Sequence, residues 1–361
     1  MSESDKNVYI LGAGFSKGLG LPLQDDFLQT ARTIYFKDTD KYKHFNNVFD
    51  YIDKLSKIRN YVSISMFNLE NIFNLLEMNL FFTEGTKHEE CELRKKDFIK
   101  LIADVLQELT PKPFREHPTG MTIHPGYHHY AAFLSLLLKD KPTLHYDSII
   151  TFNYDLIVEA SLRIINYYRI NDNHIPEPPI SCDYMKSNEN IRDKSIGGFD
   201  VPVDLKNTNS TLRLKLFKLH GSINWETKDG ETFLVPPTWN KSDTKIKDVW
   251  TEVYKELSTA TRLIIIGYSF PETDIYAKSL LALAINNNKN LQNIYFINPD
   301  TNEVKKRSLD FIDTHFIKHT RYREMDFFKF VEDESWIDEN LKRRSIRNWM
   351  GFNRLKRLLN K

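Results

Sequence analysis

Residues 8–16 read VYILGAGFS, and they set the expectation for the whole chain. The four apolar residues from Val8 to Leu11 suit a short strand that is buried on both faces. Gly12 and Gly14 then form a turn in which the backbone can pass close to another group. A buried strand that runs into a glycine turn is typical of the first strand of a parallel α/β sheet.

Four further segments are predicted to be strands, of which residues 212–219 alternate apolar with basic residues and the others are short apolar runs. They are Ser148–Phe152, Leu212–Leu219, Arg262–Ile266 and Asn293–Ile297. Helical spacing of apolar residues dominates about residues 27–138 and returns after residue 155. Strands that alternate with helices predict an α/β fold, a Rossmann-like parallel sheet with helices on both faces. The block at about 27–138 is predicted to be a large helical insertion.

Two segments depart from this alternation. Residues 171–210 are rich in Asn, Asp, Pro, Ser and Gly, which predicts a long irregular excursion. Residues 336–361 interleave apolar residues with Lys and Arg, which predicts a basic amphipathic helical tail. We expect this tail to dock on the body or on another subunit, in preference to a membrane surface or a nucleic acid. The remainder, residues 1–335, is predicted to form one domain.

Composition excludes several functional classes. The 361 residues hold 50 Lys and Arg against 49 Asp and Glu, so the net charge of +1 gives no field that would attract nucleic acid. No apolar run reaches the roughly 18 residues of a membrane span. The polar, acidic start does not resemble a secretory signal, and we expect a cytoplasmic protein. Cys91 and Cys182 are too few for a disulfide framework or a four-cysteine zinc site.

Each predicted strand ends in small or polar residues. The five strand ends read GAGFS at 12–16, TFNYD at 151–155, KLHGS at 218–222, GYS at 267–269 and INPD at 297–300. Ligands of open parallel sheets bind outside the carboxyl ends of the strands, where a helix start offers its amides to phosphate. A dehydrogenase is disfavoured, because Lys17 occupies the position of the third glycine of its fingerprint.

In their order and their placement at strand ends, these motifs resemble those of sirtuins. VPPTW at 235–239 and IGYSFP at 266–271 are more similar to the sirtuin-like domains of bacterial anti-phage defence proteins, which hydrolyse NAD. The resemblance covers about residues 8–300 and implies that residues 1–335 are an NAD-binding Rossmann domain. Sirtuin deacylases carry a four-cysteine zinc module after the His-Gly motif. No cysteine lies between His220 and Gly267, so we expect no zinc ribbon and no bound metal.

The chemistry of NAD cleavage assigns roles to two of these residues. His220 is predicted to act as the general base or to activate a ribose hydroxyl, because imidazole titrates near neutral pH. Asn153 offers a donor and an acceptor that would fix the water or a ribose hydroxyl. Asp155 is expected to bind the nicotinamide carboxamide or to position a neighbour. The complete predicted NAD-binding set is Gly12, Ala13, Gly14, Phe15, Ser16, Asp155, Gly267, Tyr268, Ser269, Asn298 and Asp300.

The resemblance thus predicts an NAD glycohydrolase that releases nicotinamide and ADP-ribose. Its implied setting is anti-phage defence, with abortive infection by NAD depletion. Because such an activity must be restrained, we expect activation by assembly of a homo-oligomer or by a separately encoded sensor protein. The alternatives are a sensor module that binds NAD or ADP-ribose without turnover, and an ADP-ribosyltransferase.

Plainer structural roles exist for the same residues. Asn153 to Asp155 suit a helix cap, His220 with Gly221 suits a turn, and Asn298 to Asp300 suit a turn before a capped helix. Their joint occurrence at successive strand ends favours the NAD site.

A cluster of histidines suggests a metal site by its residue type. No carboxylate lies at the spacing of a zinc hydrolase motif, so we favour histidines at the surface or at an interface. The cluster comprises His117, His124, His128, His129 and His145.

Overall fold

The structure is a computed structural model that describes residues 6–57, 68–117, 120–138, 147–170, 179–184, 190–200, 213–235, 246–272, 274–312 and 319–333. Its centre is a seven-stranded sheet in which every neighbouring pair of strands is parallel. The strands of the main sheet are β1 (Asn7–Leu11), β4 (Ser148–Thr151), β5 (Ser181–Asp183), β7 (Arg213–Lys218), β10 (Arg262–Ile266), β11 (Asn293–Asn298) and β12 (Thr320–Glu324).

Among the described residues, five strands lie outside this sheet. Strands β2 (Phe114–His117) and β3 (Gly120–Ile123) form an antiparallel hairpin, and β6 (Ile191–Asp193), β8 (Gly221–Thr227) and β9 (Thr232–Leu234) form an antiparallel sheet. The helices are α1 (Ala13–Ser16), α2 (Phe27–Lys37), α3 (Phe45–Ser56), α4 (Leu69–Phe82), α5 (Thr86–Leu109), α6 (His128–Leu138), α7 (Ile157–Ile170), α8 (Lys247–Ser258), α9 (Ile275–Asn287), α10 (Thr301–Ser308) and α11 (Phe327–Glu332).

The strand order β12-β11-β10-β1-β4-β7-β5 places β1 at the centre. From β1 the chain moves to one side of the sheet, through β4, and later fills the other side from β10 outward. Because crossovers between parallel strands are right-handed, connections in opposite directions place their helices on opposite faces. Consistently, α6 packs against α7 and α11, whereas α8 packs against α9. The order reverses between β1 and β10, where doubly wound sheets bind ligands.

The core is built on the two central strands. Every residue of β1 and β10 is buried, as their continuous apolar runs predict. Helices α2 to α6 lie between β1 and β4 and form the predicted insertion. Helix α4 begins at Asn68, whose side chain caps it by accepting from the amides of Glu70 and Asn71.

The five predicted strands and the helices between them are confirmed, with ends that differ by one or two residues. The expectation of an irregular excursion over 171–210 is wrong in part, because β5 and β6 lie within it. Strand β5 pairs with β7 at one edge of the main sheet. Strand β12 at the other edge was not predicted either. The predicted tail, residues 336–361, lies outside the described residues.

Within the described part of the chain, no helix is long and apolar enough to cross a membrane.

Candidate functional site

The glycine turn after β1 packs directly against the turn after β10. A Cβ atom added to Gly12 would lie 2.5 Å from Cα of Tyr268, and one on Gly14 would lie 2.8 Å from Cα of Gly267. Gly267 itself has φ of 64°, in the left-handed region that favours glycine. These glycines therefore let two backbone segments touch at the point where the strand order reverses.

This contact already uses backbone amides that we expected to face phosphate. The amide of Gly12 donates to the carbonyl of Ile266, and the amide of Gly14 donates to the carbonyl of Gly267. The amide of Phe15 donates to the carbonyl of Gly12 within the turn. Helix α1 is only four residues long, so its dipole is small. The expectation that this turn and helix start present free amide groups to a phosphate is wrong for these three amides. Ala13, at the tip of the turn, is exposed.

Three predicted site residues form one hydrogen-bonded cluster, which joins the end of β1 to the end of β4. The hydroxyl of Ser16 donates to Oδ2 of Asp155 at 2.6 Å, and Nδ2 of Asn153 donates to Oγ of Ser16 at 2.9 Å. The same Nδ2 donates to the carbonyl of Gly12 at 2.9 Å. Asp155 and Ser16 are buried, and Asn153 is half-buried.

Asp155 also begins the helix that follows. Its Oδ1 accepts from the amide of Ile157 at 3.0 Å, so the residue caps α7 while its other oxygen holds Ser16. The helix-cap role and the site role therefore coexist in one side chain.

His220 lies beside the asparagine loop. Its ring is buried, and it contacts the rings of Phe152 at a centroid distance of 5.3 Å and Tyr154 at 6.0 Å. These two residues flank Asn153 in the chain. The placement follows from the pairing of β4 with β7, which continues past the strands because the amide of Leu219 donates to the carbonyl of Thr151. The structure thus brings His220 and the Asn153 loop together at one edge.

The turn at Gly221 explains why a glycine follows the histidine. Gly221 has φ of 80°, and a Cβ atom there would collide with the carbonyl oxygen of Phe233 in β9. Beyond this turn the chain forms β8 and β9. The amide of Val235 returns to the carbonyl of His220 at 2.8 Å, which fixes the turn from the far side.

Two tyrosines line the same edge as neutral hydroxyls. Burial, with the nearby carboxylates of Glu70 and Asp274, raises the pKa of Tyr154 far above its usual range. Burial and Asp274 do the same to the pKa of Tyr268. The hydroxyl of Tyr154 donates to the carbonyl of Val235, and that of Tyr268 donates to Oδ2 of Asp274. The Tyr268 ring stacks on Phe152 at 4.5 Å, so this predicted site residue contributes packing to the edge.

The outer predicted residues follow β10 and β11. Ser269 is exposed, and its carbonyl accepts from Arg307. Oδ1 of Asn298 accepts from the amide of Asp300, whose own Oδ1 accepts from the amide of Glu303 and caps α10. Because Ile266 pairs with Ile297, these residues share the edge that carries the glycine contact. They do not hydrogen bond to the Ser16 cluster.

The four-cysteine zinc module does not fit this chain. Its only two cysteines are buried in separate elements, Cys91 in α5 and Cys182 in β5. The described residues hold no group of three or more His, Cys, Asp or Glu that would bind a metal ion. In the histidine cluster, His124 accepts from the amide of Gly126 through Nδ1, and His129 stacks on Phe328.

Sequence reasoning missed several residues that shape the site. The hydroxyl of Tyr130 in the insertion donates to the carbonyl of Phe15, and Asp274 holds Tyr268. Buried Lys218 donates to the carbonyl of Asp155. Only Lys218 left a signal in the sequence: a cation inside a strand that is otherwise apolar on its buried face.

Comparison with known proteins gives a family match for part of the chain. Residues 147–320, just under half of the chain, match the SIR2-like domain family. This range contains Asn153, Asp155 and His220 and ends at Thr320, the first residue of β12. No curated protein matches the chain.

Solved sirtuin structures resemble the chain at low identity. Sir2Tm bound to a propionylated peptide is 12% identical with a TM-score of 0.39, and a Sir2–p53 peptide–NAD+ complex is 13% identical with a TM-score of 0.40. Each match covers 94% of this chain and 94% of the other. The family match therefore shows that residues 147–320 are similar to the SIR2-like domain family, and Asn153, Asp155 and His220 lie within this range.

Proposed function

We propose that this protein is an NAD glycohydrolase that cleaves NAD to nicotinamide and ADP-ribose. The observation that carries the proposal is the convergence of Asn153 and His220 at adjacent strand ends. Both residues lie in the range that matches the SIR2-like domain family. An amide and an imidazole at such an edge suit a reaction that needs an oriented ribose and a proton acceptor.

The proposed reaction breaks the bond between C1′ of the ribose and the ring nitrogen of nicotinamide. The bonding electron pair leaves with the nicotinamide ring, which becomes neutral, and positive charge develops on the ribose. Water then forms a bond to C1′ and loses a proton to His220 or, through the ribose hydroxyls, to solvent. The protein needs to supply orientation and a base, because the substrate already carries a cationic leaving group.

Asp155 is better suited to positioning than to direct contact with nicotinamide. Both of its carboxylate oxygens accept hydrogen bonds from the protein, from Ser16 and from the amide of Ile157. In this proposal Asp155 orients Ser16, and Ser16 in turn orients the amide of Asn153. Of the alternatives left by the sequence, positioning of a neighbour is therefore the one we adopt.

Acyl-lysine removal by a zinc-containing sirtuin mechanism is disfavoured, because the zinc module cannot be built from two distant cysteines. The segment after His220 instead forms β8 and β9, which make an antiparallel sheet with β6. We therefore assign water, in preference to an acyl-lysine side chain, as the acceptor of the ribosyl group.

The test is nicotinamide release from NAD by the purified protein, followed by chromatography. We expect Asn153→Ala and His220→Ala each to reduce the rate at least 100-fold, in the range typical for loss of a general base. Asn286→Ala and His319→Ala serve as matched controls, since both residues are exposed, and should retain the wild-type rate. Full activity in either site variant would refute the role of that residue.

NAD that carries a label in its ADP-ribose moiety separates this proposal from the alternatives. Hydrolysis yields labelled free ADP-ribose, whereas ADP-ribosyl transfer leaves label on a macromolecule. Calorimetric binding of NAD without nicotinamide release, across a range of protein concentrations, would support a non-catalytic sensor. The protein concentration has to be varied because we also propose that the active form is an assembly, which would form only at sufficient concentration.

We also propose a biological role for this activity. NAD depletion harms the cell that carries it out, so such an enzyme requires restraint by a partner or by assembly. We propose a cytoplasmic effector of anti-phage defence that acts by abortive infection. Expression of the wild type, but not of His220→Ala, should lower cellular NAD during phage infection.

A further inference from the structure

Lys218 is a fully buried cation that the proposed chemistry leaves unused. It ends β7, two residues before His220, and its side chain is 1% exposed. Its ammonium group donates to the carbonyl oxygen of Asp155 at 2.5 Å and to Oε1 of Glu159 at 2.9 Å. A lysine that is buried this completely is rare unless it is paired.

These two bonds join the strand that carries His220 to the loop that carries Asn153. The carbonyl of Asp155 is the last of the Asn153–Asp155 triplet, and Glu159 lies in the first turn of α7. The main-chain bond from Leu219 to Thr151 ends the ladder between β7 and β4. Beyond that point, the side chain of Lys218 reaches past the end of the strand and donates to the Asn153–Asp155 loop.

The network continues around the His220 turn. Oε1 of Glu159 also accepts from the hydroxyl of Tyr184, which accepts in turn from Nδ2 of Asn224. Oδ1 of Asn224 accepts from the hydroxyl of Ser222 at 2.6 Å. Lys218 precedes His220 by two residues and Ser222 follows it by two. The chain of hydrogen bonds therefore brackets the His220 turn from both sides.

Stability alone is a weak reason for such a pair. Glu159 is also 1% exposed, and apolar residues of similar volume often replace buried ion pairs with no loss of stability. An ammonium group has three donors, so it can hold a backbone carbonyl and a carboxylate at the same time. An apolar side chain at position 218 would fill the space but would release the carbonyl of Asp155.

We propose that Lys218 is a positioning residue that fixes the Asn153–Asp155 loop relative to His220 through its bond to the Asp155 carbonyl, while Glu159 serves as the counter-ion of its ammonium group. This inference rests on the proposed NAD hydrolysis for its kinetic consequence. Its structural consequence, the ordering of the loop, is independent of that function.

The experiment compares two variants with opposite expected effects. Lys218→Met combined with Glu159→Gln removes both charges and the tie to Asp155, while the new amide can still accept from Tyr184. We expect kcat to fall at least tenfold, KM for NAD to change less than threefold, and the urea midpoint to stay near that of the wild type. Glu159→Gln alone keeps the tie but leaves the ammonium group without its counter-ion. We expect a lower urea midpoint and a kcat within threefold of the wild type.

Hydrogen exchange provides a readout that does not need catalysis. In the double variant we expect amides of residues 153–157 to exchange at least tenfold faster, while those of β1 keep their protection. If the double variant does not fold, Lys218→Gln, which keeps an N–H donor without the charge, takes its place. We expect this variant to have a kcat, and exchange rates at residues 153–157, that are intermediate between those of the wild type and those expected for the double variant.

The two proposals fail in different ways. A wild type that releases no nicotinamide would contradict the proposed function, and hydrogen exchange alone would then decide the role of Lys218. A double variant with wild-type exchange at residues 153–157, and with wild-type kcat where NAD is cleaved, would overturn the positioning role.

Discussion

At the scale of single residues, Ser16 connects two parts of the site that are far apart in the chain. Its hydroxyl donates to Asp155 and accepts from Asn153 at the same oxygen. The side-chain Nδ2 of Asn153 donates to two acceptors, Oγ of Ser16 and the carbonyl of Gly12. Removal of the Ser16 hydroxyl leaves it with the Gly12 carbonyl. The side chain that is proposed to face the ribose would then be less well oriented.

We predict that Ser16→Ala lowers kcat/KM for NAD about 10- to 100-fold, whereas the free energy of unfolding falls by only about 1–3 kcal/mol. Ser161→Ala is the matched control, because Ser161 is a buried serine whose hydroxyl donates only to the carbonyl of Ile157 in its own helix. It should lose a similar amount of stability and keep its activity. Equal activity in both variants would contradict the orienting role of Ser16.

The glycine contact provides a second residue-scale prediction. Gly12→Ala forces a methyl group against the backbone of Tyr268, so we expect a loss of about 1–3 kcal/mol of stability together with loss of NAD binding. Gly197→Ala has open space around the added Cβ atom and should stay within about 0.5 kcal/mol of the wild type. Urea unfolding and calorimetry measure the two effects. Wild-type NAD affinity in a folded Gly12→Ala would argue against a ligand at this turn.

Sequence reasoning predicted the neighbourhood of Asn153 and His220, because parallel strands end at a common edge. It did not predict the partner of each side chain. The bond from Ser16 to Asp155 spans 139 positions and depends on how the turns after β1 and β4 fold. It also overestimated the amides available at the glycine turn, since nothing local shows that the turn after β10 would lie against them.

At the scale of elements, the amino-terminal edge of the sheet is held by a cluster of charges. Glu256 near the end of α8 forms ion pairs with Lys6 at 2.9 Å and Lys215 at 3.0 Å, and accepts from Ser148. The cluster thereby links α8 to the beginnings of β1 and β4 and to β7. It lies at the opposite edge from the candidate site.

The titration of Glu256 gives a pH-dependent prediction. Burial alone would raise the pKa of this carboxyl, but the hydrogen bonds and charges of Lys6 and Lys215 lower it on balance. A carboxyl whose folded pKa is depressed contributes stability above its unfolded pKa, near 4.3, which is lost as the pH falls through the folded pKa. We expect Glu256→Gln to cost about 1–3 kcal/mol at pH 7. The difference from the wild type should shrink below about pH 4.

Urea unfolding of both proteins between pH 3 and 7 measures this difference, and nicotinamide release at pH 7 serves as the control. Activity should be unchanged, because the substitution lies at the far edge of the sheet. A stability difference that grows as the pH falls would contradict the predicted direction.

The elements themselves were predictable in proportion to their apolar content. The continuous apolar sequences of β1 and β10 predict that these are central strands, buried on both faces. Strand β5 has three residues, too few to show a period, and β12 is an edge strand in which four of its five residues are not buried. Both were missed because an edge strand needs less apolar sequence, and main-chain pairing specifies it instead.

At the scale of the whole molecule, ligand binding should be visible as global stabilisation. If ADP-ribose binds the folded state at the glycine contact, a concentration of 100 times Kd adds about 2.7 kcal/mol to the free energy of unfolding. His220→Ala, which is proposed to impair catalysis, should retain much of this gain. Thermal unfolding with and without ADP-ribose tests it. No shift at any ADP-ribose concentration would count against a dinucleotide site.

Assembly is also a whole-molecule property. We expect a chain that ends at residue 334, without the basic tail, to form smaller assemblies than the full chain in native mass spectrometry. The physical reason is the loss of an amphipathic segment whose apolar residues need a partner surface. The same number of subunits in the assemblies of both chains would exclude the tail as an oligomer contact.

The two ends of the sheet are held by different interactions, and this difference should determine which end loses its structure first when the protein is heated. At one end, Glu256 forms ion pairs with Lys6 and Lys215, while the other end combines the buried Lys218–Glu159 pair with short turns that are joined by individual hydrogen bonds. Moderate warming should therefore abolish the proposed NAD cleavage at temperatures where the circular dichroism spectrum is still that of the folded protein. Recovery on cooling should be quick, because only the looser end has to re-form.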